Sequence, residues 1–359
     1  MNIKDKDKLK EIFQIFKEDD IIEIGEKIIG IGGFGSVTEV KTKNGKYFAG
    51  KLIKSKKTDE IEFISEFKNK NIVQTIKIYN KSFKGENYSL ILMEKAILKD
   101  LTTLNQNLFK GLLKIIIDTP FEGVVGDNLI RFYARQIIDG LESIDRNDIC
   151  HFDIKTDNLL IFIRMKIKLS DFSLLKQLKN KEKGNKTNKV IEIPGGTPGY
   201  LSPEYYQKKE KERKVSFDVA KKQDYFAFGS TLFYLKYGEE MLPYNEYDDN
   251  LMTSDYIIDL LQRAVDLIQS KEILSDKDFK TFLCSLINYD PNERPNFEEI
   301  YRNKWVNKNV QEINKIYAIN SQNEEKLIME LNKSDFLITK KNELKKSDNK
   351  FIFNYNKNK

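Results

Sequence analysis

The chain has 359 residues, and 61 Lys and Arg against 55 Asp and Glu leave a formal net charge of +6; hydrophobic residues make up 40% and charged ones 32%. So small an excess among so many charges describes a surface of mixed sign, not the basic field of a nucleic-acid or membrane-surface protein. Two cysteines, Cys150 and Cys284, cannot build a disulfide framework and fit a reducing, intracellular setting, whether cytoplasm or nucleus. The single histidine, His151, excludes a multi-histidine zinc site, and a Ser-His-Asp triad anywhere else. No secretory signal opens the chain, and no stretch reaches the roughly 18 apolar residues of a membrane span, so no membrane insertion is expected.

Residues 1–21 read as a charged N-terminal extension with a short helix from Leu9 to Lys17, its apolar face made of Leu9, Ile12, Phe13 and Phe16. From Ile21 the pattern turns to β-branched runs broken by glycine: Ile28-Ile29-Gly30, Ser36 to Val40, and Tyr47-Phe48-Ala49. Asn44-Gly45 predicts a hairpin between the last two. A helix is expected from Asp59 to Lys68, then strands over Ile76–Asn80 and Ser89–Met93 around a turn at Lys84-Gly85-Glu86. Beyond residue 97 the periodicity is helical, over Asn128–Asp145, Asp224–Tyr237 and Asp255–Gln269. Lys176–Lys189 reads as a mobile loop, and residues 307–359 as a Lys- and Asn-rich tail.

Three constellations carry chemistry. Ile29-Gly30-Ile31-Gly32-Gly33-Phe34-Gly35-Ser36-Val37 lets a strand-turn-strand lie close over phosphates, although a plain hairpin tip would also read this way. Lys51 stands inside an apolar strand and must find an anion or reach water. Asp153, Lys155 and Asn158 follow a strong helix closely, and Asp171 comes after a short hairpin. An Asn and an Asp brought together make an oxygen-rich site for Mg²⁺, which then holds a polyphosphate. Asp153 is then free to orient a hydroxyl, and Lys155 to neutralise charge on a moving phosphoryl group.

In this order and spacing, the motifs over residues 22–306 resemble the eukaryotic protein kinase domain of Ser/Thr type. The resemblance implies a bilobal α+β fold, with a small antiparallel-sheet lobe carrying one helix (22–95) and a larger, mainly helical lobe (97–306). It implies ATP and Mg²⁺ in the cleft, and protein substrates phosphorylated on Ser or Thr. By it, the stretch from Ile29 to Val37 is the Gly-rich loop, Lys51 the phosphate-binding lysine, and Glu60 its partner on the C-helix. Met93 is similar to the gatekeeper, Glu94 and Ala96 to hinge residues, and Ala49 and Leu160 to further residues of the nucleotide site. Asp153, Lys155 and Asn158 match the catalytic loop, and Asp171 the metal-binding Asp. Thr197 to Glu204 resembles the peptide-docking loop, with Thr197 contacting Asp153 and Lys155, and Arg294 is expected to pair with Glu204. Asp224 and Gly229 fit the start of the F-helix, and Asp100 stands where the ribose is reached.

The chain departs from the family pattern in several places. Phe152 stands where the family has an Arg that pairs with an activation-loop phosphate, and Ile193 stands where the phosphorylated residue often lies. Both departures imply that activation-loop phosphorylation is not the switch. Ser173 replaces the Gly of D-F-G, Gly50 a β-branched residue, and Thr156 a Pro. Two other readings stand beside a protein kinase: a nucleotide-binding pseudokinase scaffold, and a kinase-fold enzyme acting on a small molecule. The oligomeric state is not legible.

Overall fold

The computed structural model describes residues 6–17, 20–32, 35–54, 59–104, 126–178, 189–206, 214–242, 253–270, 276–311 and 313. The first lobe is a five-stranded antiparallel sheet of β1 (Ile21–Gly32), β2 (Gly35–Thr42), β3 (Tyr47–Lys54), β4 (Thr75–Phe83) and β5 (Glu86–Met93). Its strand order is β1-β2-β3-β5-β4, which makes β3 central. Along β2 buried and half-buried positions alternate, as in a strand with one face on a core. The Asn44-Gly45 hairpin forms as expected: Gly45 has φ +77°, and the Thr42 hydroxyl donates to Asn44 Oδ1 at 2.6 Å. Lys84 and Gly85 both have positive φ, the geometry a two-residue hairpin needs.

Gly50 has a steric cause. A Cβ there would stand 2.6 Å from Val40 Cγ2 and 3.1 Å from Leu90 Cδ1, so the branched residue usual in the family cannot fit between these two neighbours. Helix α1 (Lys6–Gln14) starts and ends three residues earlier than the Leu9–Lys17 expectation. Its last residues form a turn, with Phe16 N–H on Phe13 O and Lys17 N–H on Gln14 O. The apolar face is the expected one, buried in one cluster with Ile21, Ile24, Val40 and Leu90 of the sheet. Helix α2 (Asp59–Glu66) stops two residues short of Lys68.

The second lobe is built on α3 (Asp127–Arg146) and the β7–β8 hairpin, Leu159–Phe162 with Lys166–Leu169. Gly140 lets them touch, since a Cβ there would lie 2.9 Å from Leu169 Cδ1. Strand β6 (Ile149–Cys150) pairs with β9 (Lys176–Gln177), and β10 (Val190–Glu192) with β11 (Lys214–Ser216). The expectation of a loop over Lys176–Lys189 is therefore corrected at its start, where two residues are strand; 179–188 lie outside the described residues. A short α4 (Pro203–Tyr206) precedes α5 (Phe217–Tyr237).

Helix α5 begins seven residues before the expected Asp224. Ser216 caps it by accepting the Val219 N–H, and its first turns pack into a small cluster of their own, outside the stripe that periodicity reveals. The lobe closes with α6 (Ser254–Gln269), α7 (Lys277–Leu286), α8 (Phe297–Arg302) and α9 (Lys304–Asn307). Trp305 is fully buried, with Arg131 5.0 Å over its ring and Phe279 at 4.9 Å. No helix among the described residues is long and apolar enough to cross a membrane.

Candidate active site

The site lies where β3 faces the catalytic loop and the β7–β8 hairpin. Lys51 pairs with Val37 on one side and Ile91 on the other, so its stem is enclosed and the residue is 6% exposed. Its ammonium meets Asp171 Oδ1 at 2.8 Å. Burial pushes the Asp171 carboxyl up, but the charge and hydrogen bond of Lys51, with a further bond from Ser173, hold it down at about 2. Ser173, the departure at the D-F-G glycine, thus acts on the carboxylate beside it. The Glu60 side chain lies outside the described residues, as do Gly33 and Phe34.

Asp171 has φ +61°, a backbone state that a non-glycine residue keeps only when its surroundings fix it. Phe172 does much of the fixing, with its ring 4.9 Å from Phe63 of α2 and 4.6 Å from His151. The strand-like segment after α2 is tied to the same place: Val73 N–H donates to Leu169 O, and Leu169 N–H to Asn71 O.

Hairpin β7–β8 pairs Leu159 with Leu169, which brings the residues just outside the pair together, and Ser170 N–H donates to Asn158 O at 2.9 Å. Asn158 Nδ2 donates to both the carbonyl and Oδ2 of Asp153, each at 2.8 Å, so Oδ1 is the amide atom left for a cation. Asn158 and Asp171 together suit a hard divalent ion. Among the described residues no group of three or more His, Cys, Asp or Glu is placed to hold a metal ion.

Asp153 joins the catalytic loop to the docking loop. Its Oδ1 accepts the Thr197 backbone N–H at 3.1 Å and the Thr197 hydroxyl at 2.6 Å. Lys155 Nζ donates to that hydroxyl at 2.5 Å and lies 3.3 Å from Asp153 Oδ2. His151 is fully buried; its Nε2 bonds to Ser170 O and its Nδ1 accepts the Asp153 N–H, the pattern of a neutral ring, and burial lowers its pKa. The sequence places Asp224 at the start of a helix but does not show that it lies behind this loop. Asp224 of α5 accepts the N–H groups of His151 (2.7 Å) and Phe152 (2.8 Å), and burial pushes its carboxyl up to about 7 against those two bonds. Gln223 likewise holds Ser202 N–H and Tyr200 O. The available signal was an Asp and a Gln just ahead of an apolar helical run, Tyr225 to Phe228.

The other expected site residues are spread over the sheet, the hairpin and the turns between them. Ala49 pairs with Met93 on the sheet, and Leu160 pairs with Lys168 on the hairpin. Glu94 gives its N–H to Gln74 O and its carboxylate to Gln74 N–H and Lys168. Gly30, Ile31 and Gly32 pair with Val37, Ser36 and Gly35 at the tip of the first hairpin, and Ile29 is exposed. A Cβ on Gly35 would stand 2.6 Å from Leu52 O. Asp100 is otherwise engaged: it accepts Thr103 N–H and hydroxyl and caps the turn that follows. Thr156, in place of a Pro, bonds to the Thr102 hydroxyl at 2.6 Å. Arg294 meets Glu204 through two bonds of 2.7 Å, as expected.

A two-lobed fold whose cleft gathers a buried Lys–Asp pair and an Asp–Lys–Thr network defines the class of phosphate-handling kinase folds. The sequence model of the protein kinase domain matches residues 24–306, and the chain belongs to that family. It is 28% identical over 76% of its length to the G-type lectin S-receptor-like serine/threonine-protein kinase At1g61390 of Arabidopsis thaliana, covering 31% of that protein. It is 29% identical over 79% of its length to the interferon-induced, double-stranded RNA-activated protein kinase of Rattus norvegicus, covering 52%. Serine/threonine-protein kinase MRCK beta of Homo sapiens is 27% identical over 71% of the chain, which spans 15% of it. The chain thus spans about half or less of the length of these relatives.

Proposed function

We propose that the protein is a serine/threonine kinase that transfers the γ-phosphoryl group of Mg-ATP to Ser and Thr hydroxyls of protein substrates inside the cell, without needing a phosphate on its own activation loop. The observation that carries this reading is the Asp153–Lys155–Thr197 network, which ties a carboxylate and an ammonium to the docking loop. Asp153 orients the incoming hydroxyl and accepts its proton, and Lys155 balances charge at the transferring group. Lys51 holds phosphate oxygens while Asp171, ionised over the whole physiological range, stays available to a cation beside Asn158. Mg²⁺ bound there supplies neutralisation of the polyphosphate charge. Val37, Ala49, Met93 and Leu160 give the base its apolar walls, and the Glu94 carbonyl and Ala96 backbone its hinge contacts.

The test is transfer from γ-labelled ATP to a generic protein substrate, followed by phosphoamino-acid analysis. Label on Ser and Thr, abolished by EDTA and restored by Mg²⁺, is expected. Nucleotide binding without transfer would make the protein a pseudokinase scaffold, and label on a small molecule alone would place it outside the protein kinases.

A further inference from the structure

Phe152 lies between His151 and Asp153 of the catalytic loop, with φ +65° and 1% of its surface exposed. A bulky side chain holds such a backbone only against strong local constraint. Its ring belongs to a small apolar cluster with Cys150, Ile193, Val215, Phe217 and Ala220, separate from the main core. Ile193, 2% exposed, comes from the activation segment immediately after β10. Phe152 and Ile193, 41 positions apart in the sequence, are therefore parts of one packed unit.

A backbone clasp encloses that unit. Strand β10 pairs with β11 through Ile191 and Val215, and Phe217 N–H donates to Lys189 O at 2.9 Å. Strand β11 runs straight into α5, whose Asp224 holds the Phe152 N–H. On the far side, Gly196 brings the docking loop onto the catalytic loop: a Cβ there would stand 2.7 Å from Phe152 O and 2.8 Å from Leu201 Cδ2. The next residue is Thr197, bonded to Asp153 and Lys155.

We propose that Phe152, Ile193, Val215 and Phe217, with the β10–β11 pair, form an apolar clasp that positions Thr197 and the docking loop for catalysis in the unphosphorylated chain. The proposal rests on the kinase reading above. Its logic is that an interior apolar contact is complete as soon as the chain folds, whereas a phosphate needs a cation partner before it orders a segment. These four are positioning residues; none touches the reacting atoms.

The experiment uses the full chain, treated with phosphatase and shown by mass spectrometry to carry no phosphate. Wild type, Ile193→Ala and Ile193→Val are compared for peptide kcat/KM, MgATP KM, and hydrogen exchange. Wild type keeps its rate; Ile193→Ala loses about tenfold or more in peptide kcat/KM with MgATP KM within about twofold, and Ile193→Val stays within about threefold of wild type. The β10 amides of Ile193→Ala exchange about tenfold faster or more, while those of α3 and α5 do not change. A peptide kcat/KM for Ile193→Ala within about twofold of wild type overturns the proposal, as does a loss matched by MgATP KM. A large wild-type loss on dephosphorylation, recovered on rephosphorylation of the activation segment, also overturns it. If wild type transfers no phosphate, the kinase reading fails on its own, and the clasp is judged by the β10 exchange alone, where no change refutes it.

Discussion

Two ion pairs of this protein, Lys51–Asp171 and Arg294–Glu204, differ in what surrounds them. Lys51 and Asp171 form a pair whose acid is half-buried: the Asp171 side chain keeps 29% of its surface exposed, against 8% for Lys51. Arg294 and Glu204 are sealed, at 0% and 6% side-chain exposure. Arg294 also donates to Asn288 O, Tyr289 O and Lys222 O, and its guanidinium lies 4.8 Å over the Phe226 ring. Removing one partner of such a pair leaves the other charge buried and unmatched, at a cost of about 3–5 kcal/mol. Arg294→Ala is expected to lower the melting temperature clearly, and an unchanged thermal melt would contradict the role given to the pair.

Among the elements, α1 shows how an extension becomes part of a lobe. It covers the sheet with Leu9, Ile12, Phe13 and Phe16, and Ile12 is fully buried. Its exposed ion pair, Glu11 with Lys84, contributes little beside that apolar face. Ile12→Ala is expected to destabilise the protein by about 2–5 kcal/mol, read by denaturant unfolding. An unchanged unfolding midpoint would mean that α1 only rests on the sheet.

What could be read from residue spacing was what is decided locally, whereas the distant contacts of Arg294 with Glu204 and of Thr197 with Asp153 followed only from the family resemblance. Asn44-Gly45 specifies its turn within four residues, and the apolar face of α1 follows from spacing alone. Asp153, Lys155 and Asn158 lie within six residues, so their nearness was legible, although the bond from Asn158 to Asp153 was not. The β10–β11 pair could not be read, because each strand is three residues long and Ile191 meets Val215 across intervening chain. The start of α5 was hidden for a similar reason: Lys221 and Lys222 interrupt the apolar pattern, and Lys221 is bound instead to Asp145 and Asp148. The anchoring of His151 and Phe152 by Asp224 is likewise a contact between distant segments.

At the scale of the molecule, the sheet supplies Lys51 and the helical lobe supplies Asp171, the carboxylate that meets it. The segment after α2 is bonded to β8, and Phe172 touches both Phe63 and His151, so the position of α2 is linked to the carboxylate of Asp171. The docking loop is held from two sides, by Asp153 and Lys155 in front and by Gln223 behind. Such an arrangement is suited to a hydroxyl presented by a peptide and a phosphate presented by a nucleotide.

The most direct measurement is the rate of transfer from γ-labelled ATP to a peptide by Asp153→Asn beside wild type, with Mg-nucleotide binding and thermal melting recorded on the same samples. The variant keeps the shape of the side chain and removes its capacity to take a proton. The rate is expected to fall about a hundredfold or more while the variant still binds nucleotide and melts as wild type does. Turnover near that of wild type in Asp153→Asn would contradict the account.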